Sequence, residues 1–305
     1  MGVFDQAARY TAKRRPLAFF AWQVPGLLAA WEFHAWHDTS RIAFPGEPDR
    51  ICDTVAEFHH SADPQRRCLL DVEFQSEPDP DILERLPEYA ARLRRELRFG
   101  VGQAGKYLVV SVLLNLTGPE QSQDLNMRLP ELGGRGHHFG VVLCTLREQD
   151  AAATLARIAV GELERWVLPW IPLMRGAEQA GIIKVWKRLA EQEPDGAARS
   201  DFGGLALVFA ELARRGDAWR RALKGWNMLQ SQQVLEWQEE ARQETRIERA
   251  RRYVLRALEK RFQAPVPSDL VARIEALTDL DELDRWFDAT LTAASVEAFR
   301  AAVQA

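Results

Sequence analysis

The chain has few cysteines and no long apolar run. Cys52, Cys68 and Cys144 are its only cysteines in 305 residues, and each lies in an apolar, strand-like stretch without metal-ligand spacing. They read as buried, reduced thiols, which excludes a disulfide framework. No apolar stretch reaches the roughly 18 residues that a membrane-spanning helix requires, and the opening segment MGVFDQAARYTAKRRP has no apolar signal core. A cytoplasmic protein without a membrane partner is the expectation. The net charge of -4 gives no global footprint for nucleic acid, so such contact must come from a local basic surface. There is no G-x-S-x-G elbow and no cysteine with a suggestive histidine partner, which leaves an esterase or protease unsupported. The single G-x-G-x-x-G match, from Gly100 to Gly105, follows a predicted helix and opens a strand. A dinucleotide-binding loop has the reverse context.

What is present is an ordinary globular composition, 47% hydrophobic and 28% charged, long enough for one large or two smaller domains. The most informative stretch is 51–89. Residues 51–58 and 68–75 alternate like strands, and the intervening 59–67, with Ser61, Asp63 and Pro64, predicts a hairpin with an extended loop. On the first strand Ile51, Asp53, Val55 and Glu57 share a face; on the second, Asp71, Glu73 and Gln75 do. Pairing about Pro64 places Asp53 opposite Gln75, Val55 opposite Glu73 and Glu57 opposite Asp71. A shift of two residues places Asp53 opposite Glu73 instead. Either register gathers carboxylates on one face, and their mutual repulsion is relieved by a divalent cation.

An Asp followed about 20 residues later by Glu-x-Gln on the adjacent strand resembles the PD-(D/E)XK nuclease superfamily. The neighbouring LLDVEFQSEPDPDILERLPEYAARL resembles its Rpn branch, the recombination-promoting or transposase-like nucleases. The matching features are Glu73, Gln75 and Ser76, an acidic turn, then Arg85, Leu86 and Tyr89. The resemblance implies an α/β fold with a restriction-endonuclease-like mixed sheet core and flanking helices. It implies a metal-dependent endodeoxyribonuclease in which Asp53 and Glu73 hold Mg²⁺ or Mn²⁺ and Gln75 stands where Lys is common. Asp53, Glu73 and Gln75 are then the catalytic residues. Glu57 and Asp71 are reserve ligands, Arg85 and Tyr89 supporting residues, and DNA the expected partner. The alternative is a catalytically degenerate nuclease fold serving as a binding or regulatory module.

Along the chain, the amino-terminal helices are expected to cover one sheet face. Residues 25–36 read as a short helix and 38–44 as a first strand. Residues 78–98 read as a helix with an apolar stripe of Ile82, Leu86, Tyr89, Leu93 and Leu97, awkwardly interrupted by Pro87. Residues 106–116 read as a central strand, 118–136 as an irregular glycine-rich loop and 139–146 as a further strand. The pairs His59–His60 and His137–His138 read as surface or loop histidines. Beyond Asp150 the pattern is helical, with a turn expected at Gly203 and Gly204. The implied organisation is a nuclease-like domain over 1–175, a helical extension over 176–245 and a small helical unit over 246–305. The last resembles a domain often appended to Rpn-like proteins and is read as a partner-binding or dimerisation module, with a homodimer as the assembly this suggests.

Overall fold

The computed structural model describes residues 2–38, 54–77, 79–118, 122–226 and 232–303. By its internal contacts the chain divides into two units, Met1–Gln238 and Glu239–Ala305. The first is mixed α/β. Its strands are β1 (Trp31–His37), β2 (Thr54–His60), β3 (Asp63–Gln75), β4 (Leu108–Asn115), β5 (Asp124–Leu129), β6 (Arg135–Gly140) and β7 (Val142–Thr145). Five of them form one sheet in the order β1-β2-β3-β4-β7. The first three make an antiparallel meander, whereas β4 runs parallel to β3 and β7 parallel to β4. Parallel neighbours need a crossover, and helix α3 (Ile82–Glu96) lies in the one from β3 to β4.

The alternation on β2 and β3 sorts side chains between two layers. Phe58, Leu70, Val72 and Phe74 are buried on one face. There Phe20, from helix α2 (Pro16–Gln23), meets Phe58 edge-on at 4.9 Å and Phe33 at 6.3 Å. Phe19 of the same helix reaches Phe74, and helix α1 (Val3–Arg14) also contacts β3, so amino-terminal helices cover this layer, as expected. On the other face Val55, Leu69 and Leu113 join the α3 stripe of Ile82, Leu86, Tyr89 and Leu93. The stripe is as read from its spacing. Pro87 sits inside the helix; the apolar contacts of the stripe offset a missing N–H that costs on the order of 3 kcal/mol.

Several expectations change. Residues 25–36 are not a helix but a 3-10 turn, Leu27–Ala29, followed by β1. The run WEFHAWH is rich in β-prone aromatics and pairs with β2 from Trp31↔His60 to His37↔Val55. The expected strand at 38–44 lies almost wholly outside the described residues. The hairpin is tight: His60 pairs with Asp63, so only Ser61 and Ala62 intervene, and β3 already begins at Asp63. The pairs Val55↔Asp71 and Glu57↔Leu69 match the shifted register, not the one about Pro64. The glycine-rich loop contains an antiparallel ribbon of β5 and β6. Its Gly136 has φ +136°, and a Cβ there would stand 2.2 Å from the Met127 carbonyl oxygen.

After β7 the first unit is helical. Helices α4 (Ala151–Ala159), α5 (Ala180–Glu191), α6 (Gly196–Leu212) and α7 (Gly216–Leu223) flank a 3-10 segment, Arg165–Leu173, in which Pro169 and Pro172 preclude an ordinary α-helix. Gly203 and Gly204 do not form a turn; both are buried within α6. Helix α8 spans Gln232–Phe262. In the second unit its later residues Val254 and Leu258 share a core with Leu270 and Ile274 of α9 (Ser268–Ala276), Leu283 and Trp286 of α10 (Leu280–Thr292) and Phe299 of α11 (Val296–Ala302). Asp279 and Ser295 cap α10 and α11 by accepting first-turn N–H groups. No helix among the described residues is long and apolar enough to cross a membrane.

Candidate functional site

The face of β3 that carries Leu69 also carries Asp71, Glu73 and Gln75, because side chains two apart point the same way. In a core this is a costly row, since a buried carboxylate or amide must be matched by partners. Asp71 is fully buried, pairs across with Val55, and accepts a long 3.5 Å hydrogen bond from Ser111 Oγ on β4. Glu73 and Gln75 are 7% and 6% exposed, beside Leu113 and Asn115. The Gln75 Oε1 atom is buried and has no hydrogen-bond partner among the described residues. Asp53 lies outside the described residues. Arg85 on α3 pairs with Asp79 at 2.6 Å, and Tyr89 is buried in the apolar stripe. Thus the structure brings Asp71, Glu73 and Gln75 onto one strand face, while Arg85 is occupied by an ion pair on its own side of α3.

The row offers oxygen donors only, the set that suits a hard dication such as Mg²⁺. With an orphaned amide oxygen among them, the donor chemistry of the row is of the kind such an ion takes.

Glu57 stands apart from this row. It pairs with Leu69, four residues before Glu73, which is about 13 Å along the strand. Its carboxylate is 6% exposed and densely contacted. His37 Nε2 lies 2.8 Å from Oε2; His59 Nε2 and Arg67 Nη1 lie 2.7 and 3.3 Å from Oε1. An ionised carboxylate only accepts, so all three donate to it, and Tyr107 adds a further hydrogen bond. Burial by itself raises the Glu57 pKa, but the hydrogen bonds from His37 and His59, the charge of His37 and the Tyr107 bond outweigh it and hold the carboxyl at about 2. Tyr107 moves the other way, raised first by burial and then by the charge of Glu57.

His34 completes the cluster. The pairing of β1 with β2 slips between Phe33 and Ala35, a bulge that makes His34 an extra residue. Its ring stacks on that of His59, centroids 4.1 Å apart and 19° from parallel. One ligand atom each from His34, Glu57 and His59 lies within 4.8 Å of the others, a group able to hold a metal ion. Reading the sequence alone included Glu57 only as a reserve ligand and set His59 in a loop. The available signal was Glu57-x-His59, which shares a strand face once the turn is placed at Ser61-Ala62. The thiols play no part: burial pushes Cys68 and Cys144 up to about 11, where they are unreactive.

Compared with known proteins, the chain matches no family model, no curated protein and no solved structure.

Proposed function

We propose that the chain is a metal-dependent phosphodiesterase of the PD-(D/E)XK kind, similar to the Rpn branch and acting on DNA. The observation that carries this reading is the buried row of Asp71, Glu73 and Gln75 on a strand of a mixed sheet with flanking helices, with an amide oxygen left unmatched. A restriction-endonuclease-like core is what the resemblance implies for such a sheet. In this reading Asp53, just before β2 in the chain, and Glu73 hold Mg²⁺ or Mn²⁺. When bound, the metal orients a scissile phosphate and acidifies a water. Gln75 positions that water by hydrogen bonding and supplies no charge. Asp71 stays a reserve ligand, braced by Ser111, and Arg85 and Tyr89 hold α3 in place. The test is plasmid nicking with Mg²⁺ or Mn²⁺: Asp53→Ala and Glu73→Ala each abolish it, and cleavage by both variants at the parental rate overturns the assignment.

A second reading is a nuclease fold that has lost its chemistry and serves as a binding or regulatory module. It is favoured by the burial of Glu73 and Gln75 and by Gln75 itself, which lacks the cation that Lys brings. Titration calorimetry separates the two: no heat with millimolar Mg²⁺, which oxygen donors bind and imidazoles do not, supports the module.

A further inference from the structure

We propose that His34, Glu57 and His59 form a second metal site, one that takes a transition dication, with Zn²⁺ as the preferred probe. The site is chemically distinct from the oxygen-only row on β3. Two imidazoles and one carboxylate are the donor set of Zn²⁺ and its neighbours, whereas Mg²⁺ avoids nitrogen. It is also spatially distinct, since Glu57 lies about 13 Å of strand from the level of Glu73.

Three structural features support it. Glu57 and His59 are two apart on β2 and share a face. Alternation from Glu32, the partner of His59, sets His34 on that same face, where its ring stacks on His59. The bulge that follows shifts the register so that His37 also faces Glu57, and bulges recur at sheet edges and beside functional sites because they re-aim a side chain. The Glu57 carboxylate is oriented from behind, with His37 Nε2 on Oε2 at 2.8 Å and a hydrogen bond from Tyr107. Such outer contacts fix a ligating group before the metal arrives. Ligand atoms within 4.8 Å of one another close onto a tetrahedral ion, for which bonds of about 2.0–2.2 Å are usual, with small side-chain rotations. His59 moves its ring proton to Nδ1 and offers the Nε2 lone pair in place of its hydrogen bond to Oε1. His34 is exposed, so three protein ligands leave a fourth position open to water or a ligand, the pattern of a reactive zinc centre.

One contact opposes the ion. Arg67 Nη1 sits 3.3 Å from Glu57 Oε1, and a guanidinium next to a dication is repulsive. The same guanidinium also lies 4.6 Å over the Phe99 ring, a contact that does not depend on the carboxylate. The site therefore exchanges one cation for another at the same carboxylate, and removing Arg67 strengthens metal binding.

The experiment is titration of the full chain with Zn²⁺, followed with Co²⁺ as a spectroscopic substitute. One Zn²⁺ per chain is expected, with intense visible Co²⁺ absorption of a tetrahedral centre and no binding of Mg²⁺ at this locus. His34→Ala, at an exposed position that leaves the fold intact, lowers affinity at least tenfold, as does His59→Ala. Arg67→Gln raises affinity. His138→Ala, on the β5–β6 ribbon where His138 pairs with Asp124, changes nothing. The proposal is overturned if His34→Ala binds Zn²⁺ like the parent, or if Arg67→Gln weakens binding. Glu73→Ala keeps the Zn²⁺ stoichiometry and His34→Ala keeps any Mg²⁺-dependent nicking, so failure of either site is distinguishable from failure of the other.

Discussion

Glu57 is the residue on which the strongest local electrostatics converge. A carboxyl held at about 2 in the folded chain and near the ordinary value of about 4.3 when unfolded adds stability that is fully present above the unfolded value. That contribution is lost as pH falls through the folded one. Glu57→Gln keeps the shape but removes the charge. It is expected to cost about 1.5–3 kcal/mol at pH 7, the range for hydrogen bonds to a charged group. Denaturant unfolding at pH 7 and again near pH 3 checks this: the deficit shrinks at the lower pH, and an equal deficit at both refutes the charge-based account. Gln75 gives the opposite kind of prediction. Its Oε1 has no partner to lose among the described residues, so Gln75→Leu, close in volume, is expected to unfold no more easily than the parent by calorimetry. If the nuclease reading holds, the same variant loses metal-dependent nicking.

At the scale of elements, α3 and the β5–β6 ribbon behave differently. Leu86 is fully buried in the α3 stripe, and Leu86→Ala is expected to cost about 2–5 kcal/mol of global stability, read by chemical denaturation. Gly136→Ala forces a Cβ onto the Met127 carbonyl at a backbone angle that L side chains rarely adopt. It is expected to break the Arg128↔Gly136 end of the ribbon. Hydrogen exchange at 124–140 would rise while amides of β3 keep their protection. The same two elements show what was legible beforehand. The α3 stripe repeats every three or four residues, and β3 alternates from Leu70 to Gln75, so both periods are written in the residues themselves. The ribbon was only partly legible: Leu125, Met127 and Leu129 alternate on β5, but β6, RGHHFG, has no apolar alternation, and the pairing is made by backbone and the glycines that permit it. Likewise β1 was masked by its many apolar residues, and Gly203-Gly204 resembled a turn although α6 buries both against neighbours. The candidate sites were half legible. Glu73 and Gln75 follow from alternation alone. The histidines around Glu57 depended on a tight turn and a bulge, each a shift of one or two residues that no periodicity reports.

At the scale of the whole molecule, the residues from Glu239 onward possess a core of their own, built on Val254, Leu258, Leu270, Ile274, Leu283, Trp286 and Phe299. A fragment over 239–305 is expected to fold by itself into a helical domain with a cooperative thermal transition by circular dichroism. Trp286→Ala, which removes a large buried side chain, should abolish that transition; a fragment that is non-cooperative from the outset would show that this core is insufficient. The sheet of the first unit poses a separate question of solubility. Among the described residues β1 is one margin of that sheet, and unpaired strand margins invite stacking of one molecule on another. Here the margin is kinked at His34 and exposes Glu32 and His34 to water. A straight, apolar rim would be sticky. The irregularity that turns an imidazole toward Glu57 therefore also guards the molecule against fibre-like self-association, so ironing it out by deleting His34 would trade a ligand for an aggregation seam.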